Sequence, residues 1–177
     1  MTKENYPAFK TESFVCKDDG TFPNSVLPVV VFRKAFDPDP GVDPASIERV
    51  FSSNRWTHSW RNGLYTYSHY HSTSHEVLGL YSGRVQVRLG GPKGILVEAR
   101  AGDVIVIPAG VSHQNVGQST DFKVIGAYPD GRIPDMKFGR PGERPASDEN
   151  IRNLPLPSLD PVSGTERPVI RIWREIS

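Results

Sequence analysis

The sequence predicts an all-β fold, arranged as a sandwich or a barrel, with one or two short helices. Sixteen glycines and sixteen prolines interrupt the 177 residues at short intervals. The stretches between them are short and rich in Val, Ile, Leu and aromatic residues, and they lack long helical patterns. A hydrophobic content of 37% is enough for one core of ordinary size. We therefore expect residues 1–177 to form a single domain.

The first predicted elements lie in residues 27–54. The apolar run LPVVVF at 27–32 is typical of a buried strand. A turn-rich segment then leads into a short helix, with Asp43 as its N-cap and Pro44 at its first position. Three apolar residues share one face of this helix: Ile47, Val50 and Phe51. We expect a packing helix.

Residues 63–128 form the predicted core of the barrel. Short connections, most of them containing glycine, separate seven strand-like runs, which span 64–71, 76–82, 84–89, 95–100, 103–108, 112–116 and 122–128. A lone flat sheet of this length would leave an apolar face in water. A closed or double-sheet structure is therefore expected.

Residues 129–177 are rich in Pro, Gly, Asp and Arg, and we expect an extended segment that wraps the barrel. A short helix is predicted over SDENIRNL, with Ser147 as its cap. The later run PVIRIW alternates apolar and polar residues, so Ile170, Ile172 and Trp173 need a surface on which to be buried.

The composition argues against several classes of function. Lys and Arg number 21 and Asp and Glu number 20, so the net charge of +1 provides no field for nucleic acid or anionic lipid. No apolar stretch approaches the roughly 18 residues of a membrane span. Cys16 is the only cysteine, which excludes an intramolecular disulfide framework, and the start MTKENYPAFK lacks the apolar centre of a signal peptide. We expect a soluble, cytoplasmic protein.

The stretch HYHSTSHE at 69–76 contains three of the five histidines. On a strand, His69 and His71 point to the same side with Cα atoms about 7 Å apart. Glu76 at the start of the next strand, and His113 just after a Pro-Ala-Gly turn, can join them. Three imidazoles and one carboxylate suit first-row divalent metals. Taken alone, each histidine is more often a surface or hydrogen-bonded residue.

The whole pattern resembles the cupin superfamily. Residues 63–83 fit Gly-x5-His-x-His-x4-Glu-x6-Gly, and residues 102–113 fit Gly-x5-Pro-x-Gly-x2-His. These are similar to the two cupin motifs, in the same order. The resemblance implies a cupin-type jelly-roll β-barrel, and it implies the metal ligands His69, His71, Glu76 and His113.

A closer resemblance, to the bacterial YjlB-like cupin subfamily, covers most of the chain. It is carried by SWRNGLYTYSHYHSTSHEVLGLYSG, AGDVIVIPAGVSHQNVG, GAYPDG and LPLPSLDPVSG. One departure is Gly117, where the second cupin motif commonly has Asn; here Asn115 stands two residues earlier. The subfamily implies the fold and the ligands, but it implies no substrate.

Other residues are candidates for the pocket or for support of the ligands. His75 faces away from the interior on a regular strand, although the preceding loop can reorient it towards the metal. Tyr65 and Tyr67 share the face of His69, where they either orient a substrate or fill the core. Leu78 and Leu80 share the face of Glu76 and are expected to form an apolar floor.

Three functions remain open on the sequence. The first is a metal-dependent enzyme acting on a small molecule, as an oxygenase, isomerase or decarboxylase. The second is a non-catalytic module that binds or senses a small molecule, and the third is a structural barrel without metal. The metal can be Fe, Mn, Ni, Co, Cu or Zn. We also expect a homodimer, paired through an edge strand or through exchanged N-terminal segments that include residues 27–32.

Overall fold

The computed structural model describes residues 10–165 and 168–176, and in it two antiparallel sheets enclose one interior core. The strands of the described chain are β1 Lys10–Phe14, β2 Val29–Arg33, β3 Trp56–Asn62, β4 Glu76–Ser82, β5 Arg84–Leu89, β6 Ile95–Arg100, β7 Val104–Ile107, β8 His113–Gln118 and β9 Lys123–Pro129. The larger sheet has the order β1-β2-β7-β4-β9-β3, and the smaller has the order β6-β5-β8. This all-β jelly roll is the fold that the sequence predicts.

The four central strands of the larger sheet, β2, β7, β4 and β9, are buried on both faces, which explains their continuous apolar runs. In β2, Val29 and Val31 belong to the interior core, whereas Val30 and Phe32 belong to a second core on the outer face. Two helices, α1 Pro44–Ser53 and α3 Pro168–Arg174, cover that outer face. Their contributions to the second core are Ile47, Phe51, Val169 and Trp173.

The smaller sheet buries only one face. In β5, Val85 and Val87 are buried in the interior core, whereas Arg84 and Gln86 are exposed. This alternation is typical of an antiparallel sheet with one side in water. The interior core therefore lies between the two sheets.

Helix α1 forms as the sequence predicts. The Asp43 side chain accepts a hydrogen bond from the backbone N–H of Ala45 at 3.0 Å, and Pro44 takes the first helical position. Ile47 and Phe51 are fully buried, and Val50 is half-buried. The helix is thus anchored by one apolar face.

Three helices occur in the described chain, rather than one or two, because PVIRIW forms α3 and is not part of an extended segment. Val169, Ile170 and Trp173 are buried, and their spacing fits one helical face better than strand alternation. The remaining helix, α2 Ala146–Asn153, has no side-chain cap, and the Ser147 hydroxyl instead donates to the Glu143 carbonyl at 2.8 Å.

The strand expected over 64–71 is wrong. Only His69 and Tyr70 form isolated bridges there, to His113 and Lys137 respectively. The segment runs beside β8 without a continuous ladder. Conversely, β1 and β3 are strands that the sequence did not indicate, because they are largely polar and β1 lies at the edge of its sheet.

Residues 27–32 do not form an edge of the sheet, so pairing through them as an edge strand is wrong, whereas exchange of N-terminal segments stays a prediction. Strand β2 lies between β1 and β7, so both of its edges are hydrogen-bonded within the chain. The edge of the larger sheet at this end belongs to β1. No helix within 10–165 or 168–176 has the length and apolar character that a membrane span requires.

Candidate metal centre

Three histidines present the same ring nitrogen to a common point. In each, Nδ1 bonds to a backbone carbonyl, and because a carbonyl oxygen can only accept, Nδ1 carries the proton. The three bonds are His69 to Tyr67 at 3.2 Å, His71 to Asp135 at 2.5 Å and His113 to Val111 at 3.1 Å. Each Nε2 therefore keeps a lone pair that can bind a cation.

These three imidazoles converge. Their ligand atoms all lie within 4.8 Å of one another, and the rings of His69 and His113 have centroids 4.1 Å apart. All three side chains are at most 5% exposed. His113 is the first residue of β8, and the bridge between His69 and His113 brings the two segments together.

Glu76, the first residue of β4, completes the site. Its Oε2 lies 3.1 Å from His113 Nε2 and 3.5 Å from His71 Nε2, and it has no hydrogen-bond partner among the described residues. Ligands held about 2.1 Å from one ion are spaced by about 3.0 Å in octahedral geometry and about 3.4 Å in tetrahedral geometry. The observed spacings fit a shared divalent metal. We call these four residues the four-residue cluster: His69, His71, Glu76 and His113.

His69 and Glu76 are in the charge states that suit metal binding, and a metal would replace the proton that Glu76 favours on His71. Burial, aided by repulsion from His113, lowers the pKa of His69 to about 3, so its imidazole is neutral. Burial by itself would raise the pKa of Glu76, but His71 and His113 hold it well below its usual range. Burial likewise opposes a charge on His71, yet the Glu76 carboxylate raises the pKa of His71 above its ordinary value. A neutral imidazole and an ionised carboxylate are the forms that a metal requires.

Asp135, which lies in the Pro- and Gly-rich tail, fixes the segment that follows His71. Its carboxylate accepts hydrogen bonds from the backbone N–H groups of Ser72 at 2.6 Å and Thr73 at 3.2 Å. The Thr73 hydroxyl in turn accepts from the Asp135 N–H at 2.9 Å. Sequence reasoning missed this residue, because no local pattern links two segments more than 60 residues apart.

A cavity of about 400 Å³ opens onto the four-residue cluster. Its other walls are largely apolar or aromatic and include Trp60, Leu64, Tyr65, Tyr128, Pro134 and Met136. The charged side chain of Arg61 also lines it, and this guanidinium bonds to both oxygens of Glu48, at 2.8 and 2.7 Å. This volume and lining are usual for a small-molecule site.

Tyr65 lines this cavity, Tyr67 packs against Tyr65 outside it, and neither tyrosine fills the core. Tyr65 and Tyr67 are 51% and 44% exposed, and their rings stack at 4.8 Å. Tyr65 also contacts the His69 ring edge-on at 5.2 Å. In contrast, Leu78 and Leu80 are fully buried in the interior core and are not among the described residues that line the cavity.

His75 lies on the other side of the chain from Glu76. Its Nδ1 accepts a hydrogen bond from the Ala109 N–H at 3.0 Å, and its ring contacts Trp173 at 4.7 Å. Burial lowers the pKa of His75 to about 3, against the opposing effect of the Pro155 carbonyl. It borders a second cavity, of about 710 Å³, rather than the cluster. The structure therefore separates His75 from the three histidines of the four-residue cluster.

Asn115 and Gly117, where the chain departs from the second cupin motif, bond to each other. The Asn115 side-chain oxygen accepts from the Gly117 N–H at 3.0 Å, beside a register shift in the pairing of β5 and β8. Asn115 thus supports the backbone of β8 beyond His113.

Two aromatic residues that sequence reasoning did not connect with the site reach it through hydrogen bonds. Trp60 Nε1 donates to the Tyr128 hydroxyl at 2.9 Å, and that hydroxyl donates to Glu76 Oε1 at 3.2 Å. The sequence could have indicated Tyr128 by strand alternation. Tyr128 lies on the same side of β9 as Val124, which belongs to the interior core.

The jelly roll and its buried cluster of three histidines and a glutamate define the chain as a cupin. No protein-family model matches it. The chain is 38% identical over 165 residues to the "Uncharacterized protein YjlB" of Bacillus subtilis (strain 168), a match that covers 93% of this chain and 97% of that protein. The chain belongs to the YjlB-like family of cupins.

Solved structures are similar at lower identity. An acireductone dioxygenase from Bacillus anthracis, with a cadmium ion in its active center, has a TM-score of 0.42 at 17% identity and covers 60% of this chain and 82% of that chain. The 3,5-epimerase RmlC from Legionella pneumophila has a TM-score of 0.41 at 12% identity and covers 70% and 74%. The family assignment therefore rests on the sequence relative.

Proposed function

We propose that this cupin binds one divalent first-row transition metal through the four-residue cluster and uses it on a small molecule in the adjoining cavity. The observation that carries the proposal is the convergence of three Nε2 lone pairs with the Glu76 Oε2 atom, which has no hydrogen-bond partner among the described residues. A buried carboxylate oxygen left without a partner is costly, so a cation there would stabilise it.

The donor set of three nitrogens and one oxygen supports Fe, Mn, Ni, Co, Cu or Zn. Bound there, such an ion supplies Lewis-acid chemistry or, in the case of iron, dioxygen activation. The carbonyl-bonded Nδ1 atoms hold the imidazoles in place, and the walls formed by Trp60, Leu64 and Met136 limit the access of water. We propose an oxygenase, isomerase or decarboxylase reaction.

A specific observation supports the alternative of a non-catalytic binding or sensing module. Among the described residues that line the cavity, Arg61 is the one charged side chain outside the four-residue cluster, and it is paired with Glu48. Apart from the tyrosine hydroxyls, few groups are placed to move a proton. Such a cavity would suit capture of an uncharged molecule.

Metal analysis tests the proposal. Protein purified without a histidine tag or chelator is expected to contain about one equivalent of a first-row metal, and protein without metal would overturn it. Small molecules are then screened for a shift in the melting temperature of the metal-loaded protein. Those that shift it are tested for oxygen uptake and for product formation. A bound ligand that is recovered unchanged after prolonged incubation would favour the binding module over the enzyme.

We also propose a homodimer in the cytoplasm. Support for the dimer comes from β1, which lies at the edge of the larger sheet, and from Val15 and Val26 beyond it, which are 58% and 71% exposed. The single cysteine fits a reducing compartment. Light scattering on purified protein should give twice the chain mass, and cell fractionation checks the location.

A further inference from the structure

Three neighbouring strands of the larger sheet carry a line of side chains that ends at the four-residue cluster. Strand β4 pairs with β9 so that Val77 lies opposite Ala127, and the residues next to this pair, Glu76 and Tyr128, are joined by a side-chain hydrogen bond. Strand β9 in turn pairs with β3, with Trp60 opposite Gly126. The cross-strand register therefore places Trp60, Tyr128 and Glu76 side by side.

The hydrogen bonds along this line have a defined direction. An indole nitrogen can only donate, so Trp60 Nε1 donates to the Tyr128 hydroxyl oxygen, at 2.9 Å. The hydroxyl proton is then available for Glu76 Oε1, at 3.2 Å. A phenol hydroxyl both accepts and donates, so Tyr128 can accept from the indole and donate to the carboxylate at the same time.

The backbone holds the donor end of the line in place. The Trp60 ring lies so close to Gly126 that a Cβ atom at residue 126 would stand 2.2 Å from it. Glycine thus allows the indole to lie against β9, from where its nitrogen reaches Tyr128. The Tyr128 side chain is itself only 6% exposed.

The two oxygens of Glu76 consequently have different roles. Oε1 is engaged by Tyr128, whereas Oε2 faces His71 and His113. We propose that Tyr128 is a positioning residue, which holds Glu76 so that the carboxylate offers a single oxygen to the metal and leaves the other positions for a ligand. This inference rests on the proposed metal-binding function. Without the hydroxyl, the carboxylate is free to rotate and to bind through both oxygens.

Tyr70 provides a matched control within the same chain. Its side chain is fully buried, and its hydroxyl also donates to a carboxylate, that of Glu143, at the same distance of 3.2 Å. Glu143 accepts from the backbone N–H groups of Phe138 and Gly139 and does not belong to the cluster. Residue 70 stands between His69 and His71 in the sequence, but Tyr70→Phe removes only the bond to Glu143 and leaves both imidazoles with their Nδ1 partners.

The experiment is Mn²⁺ titration of the full-length, metal-free wild type, Tyr128→Phe and Tyr70→Phe, followed by electron paramagnetic resonance of the loaded proteins. Loss of a partner of a metal ligand costs roughly 10–100-fold in affinity, and we expect about a 10-fold loss in Tyr128→Phe. We also expect its Mn²⁺ spectrum to change in zero-field splitting. Tyr70→Phe should match the wild type in both measurements.

A double-mutant cycle shows whether Tyr128 acts through Glu76. In a Glu76→Ala background, Tyr128→Phe is expected to cause no further loss of Mn²⁺ affinity, because the carboxylate that it positions is gone. A merely structural contribution of Tyr128 would persist in that background. An equal loss in both backgrounds would therefore overturn the positioning role.

Failure of the positioning role of Tyr128 and failure of metal binding give different results in these experiments. A wild type that binds no Mn²⁺ or other first-row metal overturns both. A wild type that binds, together with a Tyr128→Phe variant of unchanged affinity and spectrum, overturns the positioning role alone. If Tyr128→Phe does not fold, p-fluorophenylalanine at position 128 fills the same space without a donor. The same loss of Mn²⁺ affinity and the same change in the spectrum are then expected, and wild-type values would overturn the positioning role.

Discussion

His69 and His75 lie on opposite sides of the chain near the start of β4. Their environments differ in the partner of Nδ1 and not in burial. His69 and His75 are both 3% exposed. In His69 the Nδ1 atom donates to a carbonyl, so the Nε2 lone pair faces the four-residue cluster. In His75 the Nδ1 atom accepts from the Ala109 N–H, so the proton sits on Nε2. The backbone partner thus distinguishes a candidate metal ligand from a packing residue.

The surroundings of Glu76 are polar and open to a cavity, whereas those of His75 are packed against an aromatic ring. On the side of Glu76, four polar side chains meet at a cavity of about 400 Å³. On the side of His75, the imidazole packs against Trp173, which also donates to the Pro28 carbonyl and anchors α3. We therefore expect changes on the first side to alter metal binding, and changes on the second side to alter the free energy of unfolding.

The largest expected effect is the loss of metal from the His69→Ala/His113→Ala variant. Removal of a partner of a metal ligand already costs roughly 10–100-fold, so removal of two ligands should weaken binding by more than about 100-fold. Elemental analysis after gel filtration measures it. The control is His58→Ala, an exposed histidine on β3 that should leave the metal content unchanged. Full metal retention in the double variant would refute the site.

His75→Ala tests the other side of the comparison. The variant leaves a cavity against Trp173 and an unpartnered Ala109 N–H, and it should lower the free energy of unfolding by about 3 kcal/mol. Its Mn²⁺ affinity should equal that of the wild type. Urea denaturation and metal titration measure the two quantities. A loss of affinity without a loss of stability would place His75 with the ligands instead.

Gly126→Ala tests the wall that supports the cluster. The added methyl would collide with the Trp60 ring, and overpacking of this kind costs about 2 kcal/mol. Gly117→Ala is the matched control on β8, since its Cβ atom would meet Gln86 at an ordinary 3.7 Å. Denaturation of both variants should show the loss in the first alone. Equal stabilities would mean that the indole can move away freely.

The pH dependence of stability gives the smallest change at each step, since it accumulates by only about 1.4 kcal/mol per pH unit. The pKa of His75 is about 3 in the folded protein against 6.5 in the unfolded chain, so only the unfolded chain takes up its proton as the pH falls below about 6.5. The contribution is present above pH 6.5 and declines towards pH 3, by about 1.4 kcal/mol per pH unit. In metal-free protein, His75→Gln should reduce the slope by that amount. An unchanged slope would contradict the neutral, buried imidazole.

Much of the fold follows from the sequence, since burial on both faces gives β2, β7 and β9 continuous apolar runs. Strands β1 and β3 escape such reasoning because they are mostly exposed or half-buried and carry polar residues. The segment 64–71 shows the reverse error: its alternation resembles a strand, although its backbone makes only isolated bridges.

The candidate ligands follow from residue spacing, but their support does not. His69 and His71 share a side by parity, and His113 follows a turn that aims it. The bonds from Asp135 and Tyr128 join segments more than 50 residues apart, so they depend on tertiary packing. The role of His75 depends on the direction of the Ala109 N–H, which the sequence does not specify.

The most direct test of the metal centre is a crystal structure of the full-length protein grown with Mn²⁺ and measured for anomalous scattering. We expect one strong peak about 2.1–2.3 Å from the Nε2 atoms of the three clustered histidines and from a single oxygen of Glu76. A map without a peak there, or with the ion at His75, would contradict the account.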